Sequence, residues 1–419
     1  MTNYTMNTYE IKREVLNFSK KMSRCLSKPS ARFVRDMQYG ISKSKSALIS
    51  EISRALKEDI KLENTIERLC DNLVDFSNNE YNLILENYYK EMIKLIPKEP
   101  IVILDDTDIA KRYAKKFEDL DRVIDASSDD KKLVNGYHVC EAIILSDKEK
   151  QPISLYSKIY SCKTKDFGSK NEYSHESINK VHDLINRKAN YIFDRLYDDN
   201  KIYDLVDSNK DYFVVRVQDN RTLLFKEKRR KCSEVVSLRK GKVKMKLDFS
   251  SDSIEVYLSH TRVVLPYNDK EYTLVTVYGL SEEHPMMLLT NRTVKNKEDV
   301  IRVVRLYMYR WRVEEYFRCK KQEYSFENYR VRTLRSMNNL NLMLQLRMGH
   351  LAYLGEKINS LLLSIKIIYE SKSLRKKVCL WMGQLARGIK EILAHAKVGI
   401  NNIKDDLEDL HEQMELQLE

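Results

Sequence analysis

From the start of the chain to about residue 95, apolar side chains recur three and four positions apart. Ile11, Val15, Phe18 and Met22 form one set, Phe33, Val34 and Met37 a second, and Leu48, Ile49, Ile52 and Leu56 a third. Ile66, Leu69 and Leu73, then Leu83, Tyr88 and Met92, complete the series. This spacing lays an apolar stripe along a helix, so the region is predicted to be helical throughout. Gly40 is expected to break the second helix, with Ser42 or Ser44 capping the next. The pattern changes between Pro97 and Pro100. Ile101-Val-Ile-Leu104 is a continuous apolar run of β-branched character, which predicts a buried strand, and it ends in Asp105-Asp106-Thr107-Asp108. Strands over Tyr137 to Leu145 and Ile153 to Tyr160 follow, joined by a hairpin at 146–150, then a helix around Glu176 to Arg187. Asn190-Tyr-Ile-Phe193 is a second short buried strand, and Asp194, Arg195 and Asp198 come directly after it. From Tyr212 to Leu289 the period is two, predicting five to six antiparallel strands. Helical spacing returns at Leu306, Val313 and Phe317 and again over residues 338–398. The acidic stretch Asp405 to Glu419 reads as a terminal helix or as disorder.

Three leading strands followed by helix and strand predict an α/β fold, a ribonuclease-H-like mixed sheet flanked by helices. The expected organisation is a helical N-terminal DNA-binding region at 1–96 and a catalytic core at 97–211 and 291–335. An antiparallel β insertion at 212–290 precedes the last catalytic helix, and a helical C-terminal region at 336–419 serves dimerisation or DNA contact. With ten Gly and six Pro in 419 residues, no flexible linker or low-complexity tract separates these parts.

The 74 Lys and Arg against 62 Asp and Glu leave a net charge of +12, which favours a polyanionic partner. Lys20, Lys21, Arg24, Lys28, Arg32, Arg35, Lys43 and Lys45 concentrate on the N-terminal helices, compatible with a helix-turn-helix-like DNA reader or with a solvated basic face. Lys226 to Lys231 and Arg239 to Lys246 form basic segments of the insertion able to follow a nucleic-acid backbone. The seven Cys show no CxxC and no metal spacing with His, and read as free thiols in a reducing cytosol. No charged start followed by an apolar run predicts a signal peptide, and Leu361 to Tyr369 is too short and interrupted to span a bilayer. A cytoplasmic, membrane-free protein, nucleoid-associated when bound to DNA, is expected.

Asp105 and Asp194 stand at the carboxyl ends of two buried strands, where α/β sheets place their chemistry. Later comes Tyr307-Met-Tyr-Arg310-Trp-Arg-Val-Glu314, running on to Lys321. At ~100° per residue, Tyr307, Arg310, Glu314 and Lys321 share one narrow stripe of a helix, beside an apolar stripe of Leu306, Val313 and Phe317. A carboxylate between a phenol and two cations suits gripping phosphate beside a metal-binding acid, although ion pairs on a surface helix use the same spacings. Brought together, Asp105, Asp194 and Glu314 would hold two divalent ions through oxygen alone, with Mg²⁺ the natural choice. Such a pair can activate water or a 3′-hydroxyl and stabilise the leaving oxygen of a phosphodiester. Tyr307, Arg310 and Lys321 would hold the flanking phosphates. Trp311 is expected to fill core rather than stack on a base.

With Tyr307, Arg310, Glu314 and Lys321 spaced as Tyr-x2-Arg-x3-Glu-x6-Lys, the chain resembles the DDE transposases of bacterial insertion sequences, in the branch with that signature. Asp105-Asp106-Thr107 is similar to that family's Asp-x-Thr, Asp194-Arg195-x-x-Asp198 to its second-acid motif, and Gly136-Tyr137 to its second-strand motif. The resemblance implies a ribonuclease-H-like core acting on double-stranded DNA, both transposon ends and target, as a homodimer with Mg²⁺ or Mn²⁺. It implies 3′-end cleavage followed by attack of the freed 3′-hydroxyl on target DNA. Asp105, Asp194 and Glu314 would be the metal ligands, with Asp106 the rival for the first. Tyr307, Arg310, Lys321 and Arg195 would contact phosphates. A nuclease without strand transfer, and a DNA-binding protein that has lost catalysis, are the competing readings. A member that flips a base into a hairpin carries a Trp ahead of the signature. Here Trp occurs only at 311 and 381, leaving Tyr278 or His284 to substitute.

Overall fold

The computed structural model describes residues 4–125, 132–248, 253–281, 284–356, 381–396 and 399–400; the apolar run at 361–369 and the acidic stretch from Asp405 lie outside them. Five helices open the chain: α1 (Tyr4–Met22), α2 (Lys28–Ser44), α3 (Ile49–Leu56), α4 (Leu62–Asp75) and α5 (Asn78–Met92). The Ser27 hydroxyl accepts from the Ser30 N–H at the start of α2, and a capping box of Ser77 and Glu80 starts α5. Gly40 does not break α2. It lies inside the helix at its crossing with α3, where a Cβ would stand 2.5 Å from Ile52 Cγ2. Ser42 and Ser44 cap nothing; their hydroxyls donate back to the carbonyls of Gln38 and Gly40 at 2.6 and 2.7 Å.

Much of the basic N-terminal face is already partnered. Lys21 pairs with Glu91, Arg32 and Arg35 with Asp36, and Lys45 with Glu323. These helices do not stand apart from the late part of the chain, because α11 (Leu334–Glu356) runs between them and the sheet. It is buried on nearly every side, and its amides clamp both neighbours. Asn338 and Gln345 bond the backbone of Ile159 and Ser154, whereas Asn339 donates to the Leu73 carbonyl and Met343 O accepts from Gln38. A further helix, α12 (Trp381–Ala394), closes the same layer against α1 and α2.

The sheet begins with β1 (Ile101–Ala110), β2 (Asp121–Ile124), β3 (Leu133–Leu145) and β4 (Pro152–Tyr160), followed by α6 (Lys170–Ile185), β5 (Asn190–Phe193), α7 (Asn200–Ser208) and β6 (Tyr212–Arg216). β3 lies antiparallel between β1 and β4, whereas β5 runs parallel to β1 and β6 parallel to β5. The order β4-β3-β1-β5-β6, with three antiparallel strands and then two parallel ones, is the ribonuclease-H-like arrangement, and the fold is mixed α/β as expected. Two boundaries differ from the sequence pattern. β1 does not stop at Leu104 but continues to Ala110, because β3 pairs with it over its whole length while the parallel partner β5 ends opposite Leu104. Tyr212–Arg216, expected as the first insertion strand, pairs in parallel with β5 and so extends the core.

Beyond β6 come β7 (Thr222–Phe225), β8 (Lys228–Lys231), α8 (Cys232–Ser237), β9 (Val243–Asp248), β10 (Ser253–Val264), β11 (Glu271–Tyr278) and β12 (Met286–Thr290). They are antiparallel, and β12 pairs with β6, so insertion and core form one continuous sheet. The final core segment is α9 (Lys297–Met308), α10 (Trp311–Arg318) and a π turn at Cys319–Glu323. Among the described residues, no helix is long and apolar enough to cross a membrane.

Candidate active site

Strand alternation assigns the acids of β1 to two faces. Asp105 lies opposite Glu141 in the β3 register and shares its face, whereas Asp106 and Asp108 lie opposite Cys140 and His138 on the other. The first face carries α10; the second borders a cavity of ≈ 780 Å³ lined by residues including Asp106, Asp108, His138, Leu196 and Lys321. Asp105 and Asp106 therefore cannot serve one site in the same way, although they are adjacent in sequence.

On the Asp105 face the sequence-predicted residues meet. Arg310 stretches one guanidinium between two acids, with Nη2 donating to Glu314 Oε1 at 2.5 Å and Nη1 at 3.5 Å from Asp105 Oδ2. The Tyr307 hydroxyl donates to Asp194 Oδ1 at 3.3 Å. The segment from Tyr307 to Lys321 is not one regular helix. It turns at Tyr309–Arg310 with bonds to the third residue back, so Tyr307 lies in the last turn of α9 and Arg310 is the N-cap of α10. The break leaves Tyr307, Arg310 and Glu314 together. The π turn has a different effect on Lys321, whose ammonium donates to the Asp108 carbonyl at 2.6 Å and pairs with Glu327 at 3.1 Å. Lys321 thus faces the cavity on the other side of β1.

The electrostatics follow from crowding. Burial pushes the Asp105 carboxyl up to about 7, and Asp194 and Asp106 add to this while Arg310 opposes it. Burial works to lower the Arg310 guanidinium, but Asp194, Tyr307 and Glu314 outweigh it and hold its value above the ordinary one. Burial, then Asp194, push the Tyr307 phenol up to about 12, which keeps it a proton donor. Burial also raises Asp106, which sits beside Tyr197 and Cys140.

Other predicted positions divide clearly. Arg195 is half-buried on a 3₁₀ turn directly after Asp194, and its Nε finds no partner among the described residues. Asp198 is structural: Arg221 pairs with it at 2.5 Å and the Gln218 N–H donates to it at 2.7 Å. Trp311 is not core filler; it is 53% exposed, next to Arg310. Leu196, 83% exposed, follows Arg195. Tyr278 is tied to the Val236 carbonyl at 3.3 Å, whereas His284 is exposed. The sequence pattern missed Arg216, the last residue of β6, which acts electrostatically on Tyr307. Its signal was present, since a lone Arg ends the apolar run Phe213-Val-Val.

The oxygen donors of Asp105, Asp194 and Glu314 outnumber the one guanidinium among them. That donor set fits a hard divalent cation.

The family model described as Transposase DDE domain matches residues 96–347, more than half of the chain. Among solved structures, the cryo-EM structure of the piggyBac transposase synaptic complex with hairpin DNA is similar, with a TM-score of 0.47 and 12% identity. The match covers 97% of this chain and 84% of that one. The crystal structure of the NurA nuclease from Sulfolobus solfataricus matches with a TM-score of 0.27 and 11% identity, over 57% of this chain and 85% of that one. No curated protein matches the sequence. The chain belongs to the family of transposases with a DDE domain.

Proposed function

We propose that the protein is a cut-and-paste DNA transposase. It binds the ends of its element, hydrolyses a phosphodiester at each 3′ end, and joins the freed 3′-hydroxyl to target DNA. The observation that carries this reading is Arg310 spanning Asp105 and Glu314 beside the Tyr307–Asp194 contact, which gathers acids from β1, β5 and α10 on one face of the sheet. Asp105, Asp194 and Glu314 would hold Mg²⁺, or Mn²⁺ in its place, which would supply activation of a nucleophile at neutral pH and charge neutralisation at the leaving oxygen.

The chain's own residues do the rest. Arg310 holds Glu314 and Asp105 in position and offers its remaining N–H groups to a phosphate oxygen. Tyr307 fixes one oxygen of Asp194 and leaves the other free. Arg195 follows Asp194 directly, Arg216 acts on Tyr307, and Lys321 lines the cavity behind β1; these cations would retain a polyanion. The exposed β7–β8 hairpin, with Lys228, Arg229, Arg230 and Lys231, would follow the backbone of the same duplex. A homodimer on paired ends is the assembly this chemistry calls for, because two ends must reach one target.

The test is an assay with DNA carrying the element's ends. Wild-type protein is expected to cleave with Mg²⁺ and yield joined products, while Glu314→Gln still binds the ends but does not cut. Cleavage without joining would favour a nuclease, and end binding without any cleavage would favour a DNA-binding protein that has lost catalysis.

A further inference from the structure

Behind β1, on the face away from Arg310, three strands bring together a second donor set of different chemistry. Asp121 on β2, His138 on β3 and Cys162 just after β4 each offer one ligand atom, and these atoms lie within 4.8 Å of one another. They are far apart in sequence and share no motif spacing. The register makes them neighbours: Asp121 is flanked across the sheet by Gly136, and His138 pairs with Tyr160, two residues before Cys162. Asp121 and His138 are buried.

The group is held in place before any ligand arrives. The Cys162 N–H donates to Asp121 Oδ2 at 2.7 Å, and the Arg122 N–H donates to Oδ1 at 2.8 Å. Ser161 Oγ, donating to the Asp119 carbonyl at 2.5 Å, ties the end of β4 to the loop entering β2. His138 Nε2 stands 3.7 Å from Asp121 Oδ2, while Nδ1 lies 2.7 Å from Asp108 Oδ1. A carboxylate on one imidazole nitrogen orients the other towards a metal and raises its basicity.

We propose that Asp121, His138 and Cys162 bind one Zn²⁺, with Asp108 orienting His138 and the fourth coordination position open. An N, O and S donor set suits zinc and not Mg²⁺. Ligand atoms around tetrahedral zinc lie roughly 3.3–3.6 Å apart given its bond lengths, so closing the site takes a contraction of at most about 1.5 Å. The ion would staple the ends of β2 and β4 to β3. It would stiffen one wall of the cavity that Lys321 enters, since Lys321 donates to the carbonyl of the Asp108 whose carboxylate holds His138. The protein would then carry two metal centres that differ in ion and role, and a strong chelator would act on both.

The experiment uses the tag-free full-length protein, purified without chelator and dialysed against Mg²⁺. Elemental analysis should find one zinc per chain, and Co²⁺ exchanged into the site should give a thiolate-to-cobalt charge-transfer band. Cys162→Ser should lose both, while Cys25→Ser, which alters an exposed thiol elsewhere, should keep both. Asp108→Asn should keep the band and weaken zinc binding by about 10–100-fold. Wild-type protein without zinc that gives no such band with Co²⁺ overturns the proposal whether or not Cys162→Ser folds. A band that survives Cys162→Ser overturns it as well.

Discussion

Asp105 and Glu141 face each other across β1 and β3 on the same side of the sheet, and each meets a cation from the late helical segment, yet their hydrogen-bond surroundings differ. Glu141 is fully buried. Its oxygens accept from Lys320 at 3.0 Å, Ser157 at 2.7 Å and Ser154 at 2.5 Å, and Asn341 donates to Ser157 at 2.8 Å. One acid meets one base, and both carboxylate oxygens accept hydrogen bonds. Asp105 accepts the Asp106 N–H at 3.0 Å, its cation contact is a 3.5 Å one to an arginine shared with Glu314, and burial with the neighbouring acids pushes its carboxyl up to about 7. The first arrangement is complete within the chain. The second has more negative charge than its cation offsets, and that deficit is what a divalent ion would remove.

The comparison can be broken most severely at the acids. Glu314→Gln should reduce end cleavage roughly a thousandfold or more, with end binding nearly unchanged; a gel-based cleavage assay beside a binding titration reads both. Lys320→Met should act on the closed pair in the opposite manner. It leaves Glu141 buried without its cation and should cost about 3–5 kcal/mol of folding stability, seen as a shift in the urea midpoint. Adding Glu141→Gln to that variant should recover part of the loss. Arg310→Met should destabilise less than Lys320→Met, because water and ions reach the open pocket.

A milder and sharper test is pH. Asp105 titrates near 7 in the fold against an ordinary value of 3.8, so the folded state holds this proton more tightly than the unfolded chain. Without metal, this group's contribution to stability is greatest at low pH and falls as pH rises from about 3.8 to about 7. Divalent ions compete with the proton, so their affinity should climb up to about pH 7 and then level off. Asp105→Asn should flatten this dependence in a calorimetric titration. The smallest effect is expected at Lys321, outside the acid cluster. Lys321→Ala should weaken DNA binding about equally for all sequences and lower the salt slope by roughly one.

The legible parts of the sequence were those set by local pattern. Apolar runs ending at Leu104 and Phe193 predicted two strands that bring Asp105 and Asp194 side by side. The spacing of Tyr307, Arg310 and Glu314 survived the break at Tyr309, because a short turn there rotates the chain little. What failed depended on partners. The length of β1 is fixed by β3, the placement of β6 by its parallel pairing with β5, and Gly40 serves a crossing with Ile52 that no local rule reveals. Lys321 left the common stripe because a π turn changes the helical period. Trp311 was expected inside, but it is 53% exposed, with the Arg310 guanidinium beside its ring. The grouping of Asp121, His138 and Cys162 is invisible to any spacing rule, since only cross-strand register creates it.

The most direct measurement is anomalous scattering from crystals of the protein with Mn²⁺ and end DNA. A peak is expected among the carboxylates of Asp105, Asp194 and Glu314, and should be absent when Glu314 is replaced by Gln. Mn²⁺-dependent cleavage by a protein whose only manganese peak lies away from those three side chains would contradict the account.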